Sequence, residues 1–140
     1  MKICILYESK YGNGKKCVEY LKKLMEEKGN DVKSFSIRKI KPDSLPKADF
    51  YIFSSPTHIG SIPWKMKRFL KKLNLEQKTK YSLMATYLGP KTKAIQKMDE
   101  ILQRKGMLKI SDVKIRVNGM KGPLEDGYEE KLKKFAEKIT

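Results

Sequence analysis

Two short stretches hold residues whose types and spacing can do chemistry: "ESKYGNGKK" (Glu8 to Lys16) and "SPTHIG" (Ser55 to Gly60), the second carrying the single histidine, His58. A turn rich in Gly and Ser after an apolar strand presents successive backbone amides to a phosphate. Three phosphate-loop patterns compete for the first stretch. A Walker A loop needs G-x-x-x-x-G-K-[ST], and counting back from Gly14 and Lys15 puts Ser9 where the first glycine belongs and Lys16 where the hydroxyl belongs. That argues against an ATPase or kinase. A dinucleotide fingerprint needs G-x-G-x-x-G, and after Gly12 and Gly14 the third position is Cys17. The pattern that survives is a nest: the Ser9 hydroxyl, a backbone that curls at Gly12 and Gly14, and the amides of residues 10 to 14 at the start of a helix, with Lys10 or Lys15 adding attraction.

His58 has no such loop of its own. A general base needs a nucleophile and an orienting acid, and one histidine gives no triad signature. A zinc ligand needs three partners, and Cys4 and Cys17 fall on different elements without ligand spacing. What remains is a side chain lying against a flat ligand or standing exposed on a loop. Cys17 sits near a helix start beside Lys15 and Lys16, conditions that lower a thiol pKa, but its place on an apolar stripe makes it a packing residue. Tyr7 and Trp64, at a strand end and a helix start, are expected to pack as well.

The elements that must position these loops alternate. "ICILY" (Ile3 to Tyr7) is an unbroken apolar run, followed by Cys17, Val18, Leu21, Leu24 and Met25 at helical spacing. "VKSFSI" (Val32 to Ile37) mixes apolar and polar residues. The connection "RKIKPDSLPKAD", with Pro42 and Pro46, leaves room for a helical turn at most. "FYIF" (Phe50 to Phe53) is continuous again, and after "SPTHIGS" a helix opens near Pro63 with Met66, Phe69, Leu70 and Leu73 on one face. "YSLMA" (Tyr81 to Ala85) precedes "TYLGP" and a helix with Ile95, Met98, Ile101 and Leu102. "VKIRV" (Val113 to Val117) alternates, and Tyr128, Leu132, Phe135 and Ile139 mark a closing helix.

Such alternation predicts a single α/β domain over residues 1–140 with a mainly parallel sheet. Strands buried on both faces read as unbroken apolar runs, whereas edge strands tolerate alternation. The first, third and fourth strands are therefore central and the second and fifth are edges. A three-layer, doubly wound five-stranded sheet of order 2-1-3-4-5 satisfies this with right-handed crossovers. Its ligand crevice lies at the carboxyl ends of strands one and three, where the winding reverses. Those ends are the two stretches above.

Composition bounds the setting. The 140 residues suffice for a real core, and the two cysteines read as reduced thiols. No apolar run nears the ~20 residues of a membrane span, no cleavable leader is expected, and the expected compartment is the cytoplasm. The formal net charge is +16, from 32 Lys plus Arg against 16 Asp plus Glu, a field that attracts anionic partners. Lysine dominates it, spread along helix faces, and the basic residues show no aromatic interleaving of the kind that reads RNA, which argues against nucleic acid.

"SKYGNG" resembles the phosphate loop of the flavodoxin family, which runs Ser/Thr-x-Thr-Gly-Asn-Thr; Ser9, Gly12 and Asn13 match, and Tyr11 and Gly14 replace hydroxyl residues. "SSPTHIGSIPWKMKRFLKKL" is similar to the family's third strand, flavin loop and following helix, particularly in the short flavodoxin-domain group that includes menaquinone-dependent protoporphyrinogen oxidases. "ATYLGP" stands in place of the second flavin-contacting loop. The resemblance implies flavin mononucleotide (FMN), its phosphate in the loop Ser9, Lys10, Tyr11, Gly12, Asn13 and Gly14. It implies that Pro56 and Thr57 shape the second loop, with the Thr57 hydroxyl or amide near the ligand, and that His58 or Ile59 lies against one ring face. Gly60 matches the glycine whose peptide reorients toward reduced N5, and Thr86, Tyr87 and Gly89 cover another side, with Tyr87 stacking. The implied function is an electron carrier working with an acidic redox partner protein, for example a ferredoxin-like protein or a reductase. Two alternatives are an FMN-dependent oxidoreductase acting on a quinone or porphyrinogen, and a basic binding module that has lost FMN.

Overall fold

The computed structural model describes residues 1–89 and 91–140. Among them the chain forms β1 (Lys2–Tyr7), α1 (Asn13–Glu27), β2 (Asp31–Ser36), β3 (Phe50–Pro56), α2 (Trp64–Lys71), β4 (Lys80–Tyr87), α3 (Ala94–Arg104), β5 (Leu108–Arg116) and α4 (Tyr128–Ile139). The five strands make one parallel sheet of order β2-β1-β3-β4-β5. This is the doubly wound order that the strand textures call for. β3 and β4 are buried along nearly their whole length, whereas β5 alternates between exposed and half-buried positions until Ile115.

Strand periodicity of two divides the core between the two sheet faces. Cys4, Leu6, Phe53, Leu83 and Ala85 point to the face covered by α2 and α3. Ile3, Ile5, Ile52, Met84 and Ile115 point to the face covered by α1 and α4. Each fully buried aliphatic or aromatic side chain contributes about 1.5–3 kcal/mol relative to exposure, so both faces need their cover. No helix follows β2. Its place on the first face is filled by the irregular connection, where Ile40, Leu45 and Ala48 pack on the core. The Tyr51 phenol pins that segment, donating to the Pro46 carbonyl at 3.0 Å and accepting from the Ala48 amide at 3.2 Å.

The cysteines lie on opposite faces, Cys4 in one cluster and Cys17 in the other, both buried. Burial pushes each thiol up to about 12, and the neighbouring Lys16 only partly offsets this at Cys17. Two strands outrun their apolar cores. β4 extends to Tyr87, carrying Thr86 into the sheet, and β5 begins at Leu108, well before Val113. The early part of β5 is an edge with exposed Leu108 and Ile110, so its sequence carries no buried run to betray it. Its register with β4 slips between Tyr81 and Ser82, and the hydroxyls of Ser82 and Ser111 meet at 2.9 Å just beyond the slip. Among the described residues no helix is long and apolar enough to cross a membrane.

Candidate functional site

β1 and β3 are adjacent in register, with Tyr7 opposite Ser54, and the Glu8 amide donates to the Ser54 carbonyl at 3.0 Å. Beyond that point the two chains part, and a cleft of about 750 Å³ opens at the carboxyl ends of the central strands. This is the topological switch point where doubly wound sheets bind ligands.

The floor at one end is the Ser9 to Gly14 turn. Gly12 caps α1 with φ of +91°, a value that favours glycine, and turns the chain from the loop into the helix. Gly14 differs from expectation: it lies inside the first turn of α1 with no positive φ, so it contributes absence of bulk rather than a curl. Among the described residues the amides of Lys10 through Gly14 donate to no backbone carbonyl, and Gly12 itself offers α1 no side-chain cap. The Ser9 hydroxyl accepts from the Lys15 amide at 3.2 Å. A row of unpaired donors at a helix start is an anion site. Asn13 faces away from the row: its Nδ2 donates to the Met120 carbonyl at 2.9 Å, tying the loop after β5 to the helix start. Gly122 is needed for that approach, since a Cβ there would stand 3.0 Å from Asn13 Oδ1.

Beside the loop lies a half-buried ion pair that sequence reasoning missed. Glu8 is 3% exposed, and Arg38, two residues past the end of β2, grips it with Nε at 2.8 Å and Nη2 at 3.2 Å. The hydrogen bond and charge of Glu8 raise the guanidinium pKa further, so Arg38 stays charged at the cleft wall. The two are distant in sequence and no local pattern couples them.

The second loop is a tight turn. The His58 amide donates to the Ser61 carbonyl at 2.7 Å and the Ser61 amide to the His58 carbonyl at 3.0 Å, with φ of +49° at Ile59 and +78° at Gly60. Two positive values in sequence make a primed turn, which glycine and asparagine adopt cheaply and a β-branched residue does not. Ile59 is nevertheless 93% exposed at the cleft lip. Thr57 lines the cleft with its donors already committed. Its amide and its hydroxyl both donate to the Thr86 carbonyl at 2.9 Å, and the hydroxyl also meets Thr92 Oγ1 at 2.6 Å. It therefore joins the two loops instead of offering its donors to a ligand. The peptide after Gly60 is tied down as well. Its carbonyl accepts from the Lys93 amide at 2.8 Å and the Ser61 amide is taken by His58, so the Gly60–Ser61 peptide is held on both sides. The peptide without a backbone partner, among the described residues, is Ile59–Gly60.

The structure brings Ser9, Lys10, Tyr11, Asn13, Gly14, Pro56, Thr57, His58, Ile59, Thr86 and Tyr87 to the cleft wall. Gly12, Gly60 and Gly89 stay off it, the first two acting through the positive φ of their turns, and Pro90 of the "TYLGP" stretch lies outside the described residues. The wall also holds Trp64, Leu88 and Met120. Trp64 corrects the packing expectation: it is 66% exposed, with the Arg68 guanidinium 5.2 Å from its ring. The signal was present, because Trp64 falls off the stripe formed by Met66, Phe69, Leu70 and Leu73. Met120 had no such signal. Tyr11, Ile59, Trp64, Leu88 and Met120 are all large, apolar and exposed, and all line this cleft. Apolar surface gathered at one mouth, next to an anion nest, fits a flat ring carrying a phosphate.

The sequence matches the model of the flavodoxin domain over residues 4–119. The chain belongs to the flavodoxin family. A flavodoxin from Clostridium saccharobutylicum is 30% identical over 114 residues, covering 77% of this chain and 71% of that protein. Flavodoxin 2 from Bacillus cereus superposes with a TM-score of 0.86 at 20% identity, over 99% of this chain and 97% of that one. The rubredoxin oxygen:oxidoreductase of Desulfovibrio gigas superposes with a TM-score of 0.81 at 21% identity, over 99% of this chain but 35% of that one, so the same fold also occurs as one part of a longer protein. These superpositions establish the fold, and membership of the flavodoxin family implies a flavin cofactor.

Proposed function

We propose that the chain binds FMN in this cleft and carries electrons between partner proteins. The observation that carries the reading is the pairing of free α1 amides with exposed apolar lips at the switch point. The phosphate would rest on the amides of Lys10 to Gly14 beside the Ser9 hydroxyl, with Lys10 and Lys15 near enough in sequence to add charge. Bound FMN supplies the electron chemistry, and the protein sets its potential through contacts and charge. Trp64, Ile59 and Tyr87 exclude water from the ring. The unpartnered Ile59–Gly60 peptide is the backbone group able to present an acceptor to it. The net charge of +16 favours an acidic redox partner, with association weakening as salt rises. It also favours the negative charge that the flavin ring gains on reduction, which raises the potential.

The test is a visible spectrum of the purified protein with and without added FMN, together with quenching of FMN fluorescence. Two flavin bands and saturable quenching are expected. Absence of both at high FMN concentration would remove the reading.

A further inference from the structure

The four helices differ in charge texture. α1 carries Glu19, Glu26 and Glu27, α3 carries Asp99 and Glu100, and α4 carries Glu129, Glu130 and Glu137. α2 carries no carboxylate, and neither does the chain anywhere from Phe50 to Leu75. The buried side of α2 is Met66, Phe69 and Leu70. Its opposite side aligns Trp64, Lys67, Arg68, Lys71 and Lys72 at spacings of three and four, around a shallow depression of about 300 Å³.

Helix stability explains only part of this arrangement, since the macrodipole favours Arg68 and Lys71 in the last turn. The macrodipole favours acids in the first turn, where this helix has none and places Lys65 and Lys67 instead. Among the described residues no cation of α2 forms an ion pair, while Lys97, Lys109 and Lys131 elsewhere do. The stripe also has a definite start. Trp64 belongs both to the depression and to the cleft wall, and Arg68 stacks on it. From that lip the cations run along eight helical residues, about 12 Å.

We infer that the outer face of α2 is the docking surface for an acidic electron-carrier protein, which seats its redox centre against the cleft at Trp64. The identity of the partner as a redox protein rests on the FMN reading above; the docking face itself does not. A Trp and Arg pair is the composition of a protein–protein hot spot, and the lysines around it belong to the polar rim that steers a partner's approach. A single-stranded nucleic acid needs several aromatic platforms along its track, and this face offers one. The unpaired cations are complementary to carboxylates, and removing them acts mainly on encounter rate and salt dependence.

The probe is an acidic [2Fe–2S] ferredoxin. Lys67→Glu/Lys71→Glu alters α2 outside the cleft lining, and Lys133→Glu/Lys134→Glu makes the same change of charge at exposed positions of α4. Binding is read by calorimetry at low ionic strength, which needs no flavin, and electron transfer from the reduced FMN-loaded protein by stopped flow. The α2 pair is expected to weaken binding and slow transfer about tenfold or more, and the α4 pair less than about threefold, with FMN affinity unchanged in both. Equal losses in the two pairs, no loss in the α2 pair, or wild-type protein that does not bind ferredoxin would overturn the inference. So would an α2 pair that loses binding to a 20-nucleotide single-stranded DNA while keeping ferredoxin. Failure to load FMN would remove the functional reading alone, because calorimetry still decides the docking face.

Discussion

Replacing Gly14 with Ser probes both the packing beneath the anion loop and the purpose of that loop. Gly14 sits in the first turn of α1 with no positive φ, so its backbone does not require glycine. A Cβ there would meet the Glu8 carbonyl oxygen at 3.6 Å and Ser54 Oγ and Ser9 Cβ at 3.7 Å, all ordinary contacts. Reducing the freedom of the unfolded chain contributes about 0.5 kcal/mol. The added hydroxyl also reaches Ser54 Oγ, which is buried and has no hydrogen-bond partner among the described residues; one neutral hydrogen bond contributes about 1 kcal/mol. Together these raise Tm by about 5 °C in a chain of this size. Thermal melts of the apoprotein, of Gly14→Ser, of Ser54→Ala and of the double variant make the cycle. The gain should fall to about 0.5 kcal/mol when Ser54 is Ala. A lower Tm for Gly14→Ser, or an equal gain in both backgrounds, would refute the packing argument. A hydroxyl can accept from Ser54 and still donate to a phosphate. FMN affinity, read by fluorescence quenching, is therefore expected to tighten roughly tenfold. A weakened affinity would show that the phosphate does not lie at the α1 amides.

Three further outcomes follow from the geometry. Ile59→Asn places a residue tolerant of the left-handed region where φ is +49° and nothing is buried, so Tm should rise by ~3 °C, from about 1 kcal/mol of relieved strain, and a fall would disprove that strain. Burial pushes the Glu125 carboxyl up, but Lys131 Nζ at 2.6 Å and the Arg116 amide outweigh it and hold its pKa below the usual range. The stabilisation is present above the ordinary glutamate pKa of about 4.3 and is lost as pH falls through the lower folded value. Glu125→Gln should cost about 1–2 kcal/mol at neutral pH and flatten the acid limb of the Tm–pH curve, and an unchanged limb would contradict the linkage. With thiol pKa values near 12 behind complete burial, Cys4 and Cys17 should resist Ellman's reagent at pH 8 in the native protein and react on denaturation; rapid native labelling would argue against the packing of both faces.

The sequence by itself determined the sheet order and the two loops at its switch point. Continuous apolar runs at Ile3 to Tyr7 and Phe50 to Phe53, and a run at Tyr81 to Ala85 broken only by Ser82, mark strands buried on both faces, and burial on both faces fixes which strands are central. Glycine at position 12 was legible for the same local reason, a chain reversal into a helix. The early half of β5 was not, because an edge strand is half-solvated and needs no apolar pattern. Only the tertiary structure decided what faces what. It joined Glu8 to Arg38, brought Met120 to the cleft through Asn13, committed the Thr57 donors to Thr86, and fixed both sides of the Gly60–Ser61 peptide. It also turned Trp64 outward beside Arg68. Periodicity reports which face of an element is buried, a property of neighbours along the chain. Partners between elements depend on the paths of loops, whose hydrogen bonds link residues far apart in sequence and leave no pattern in it.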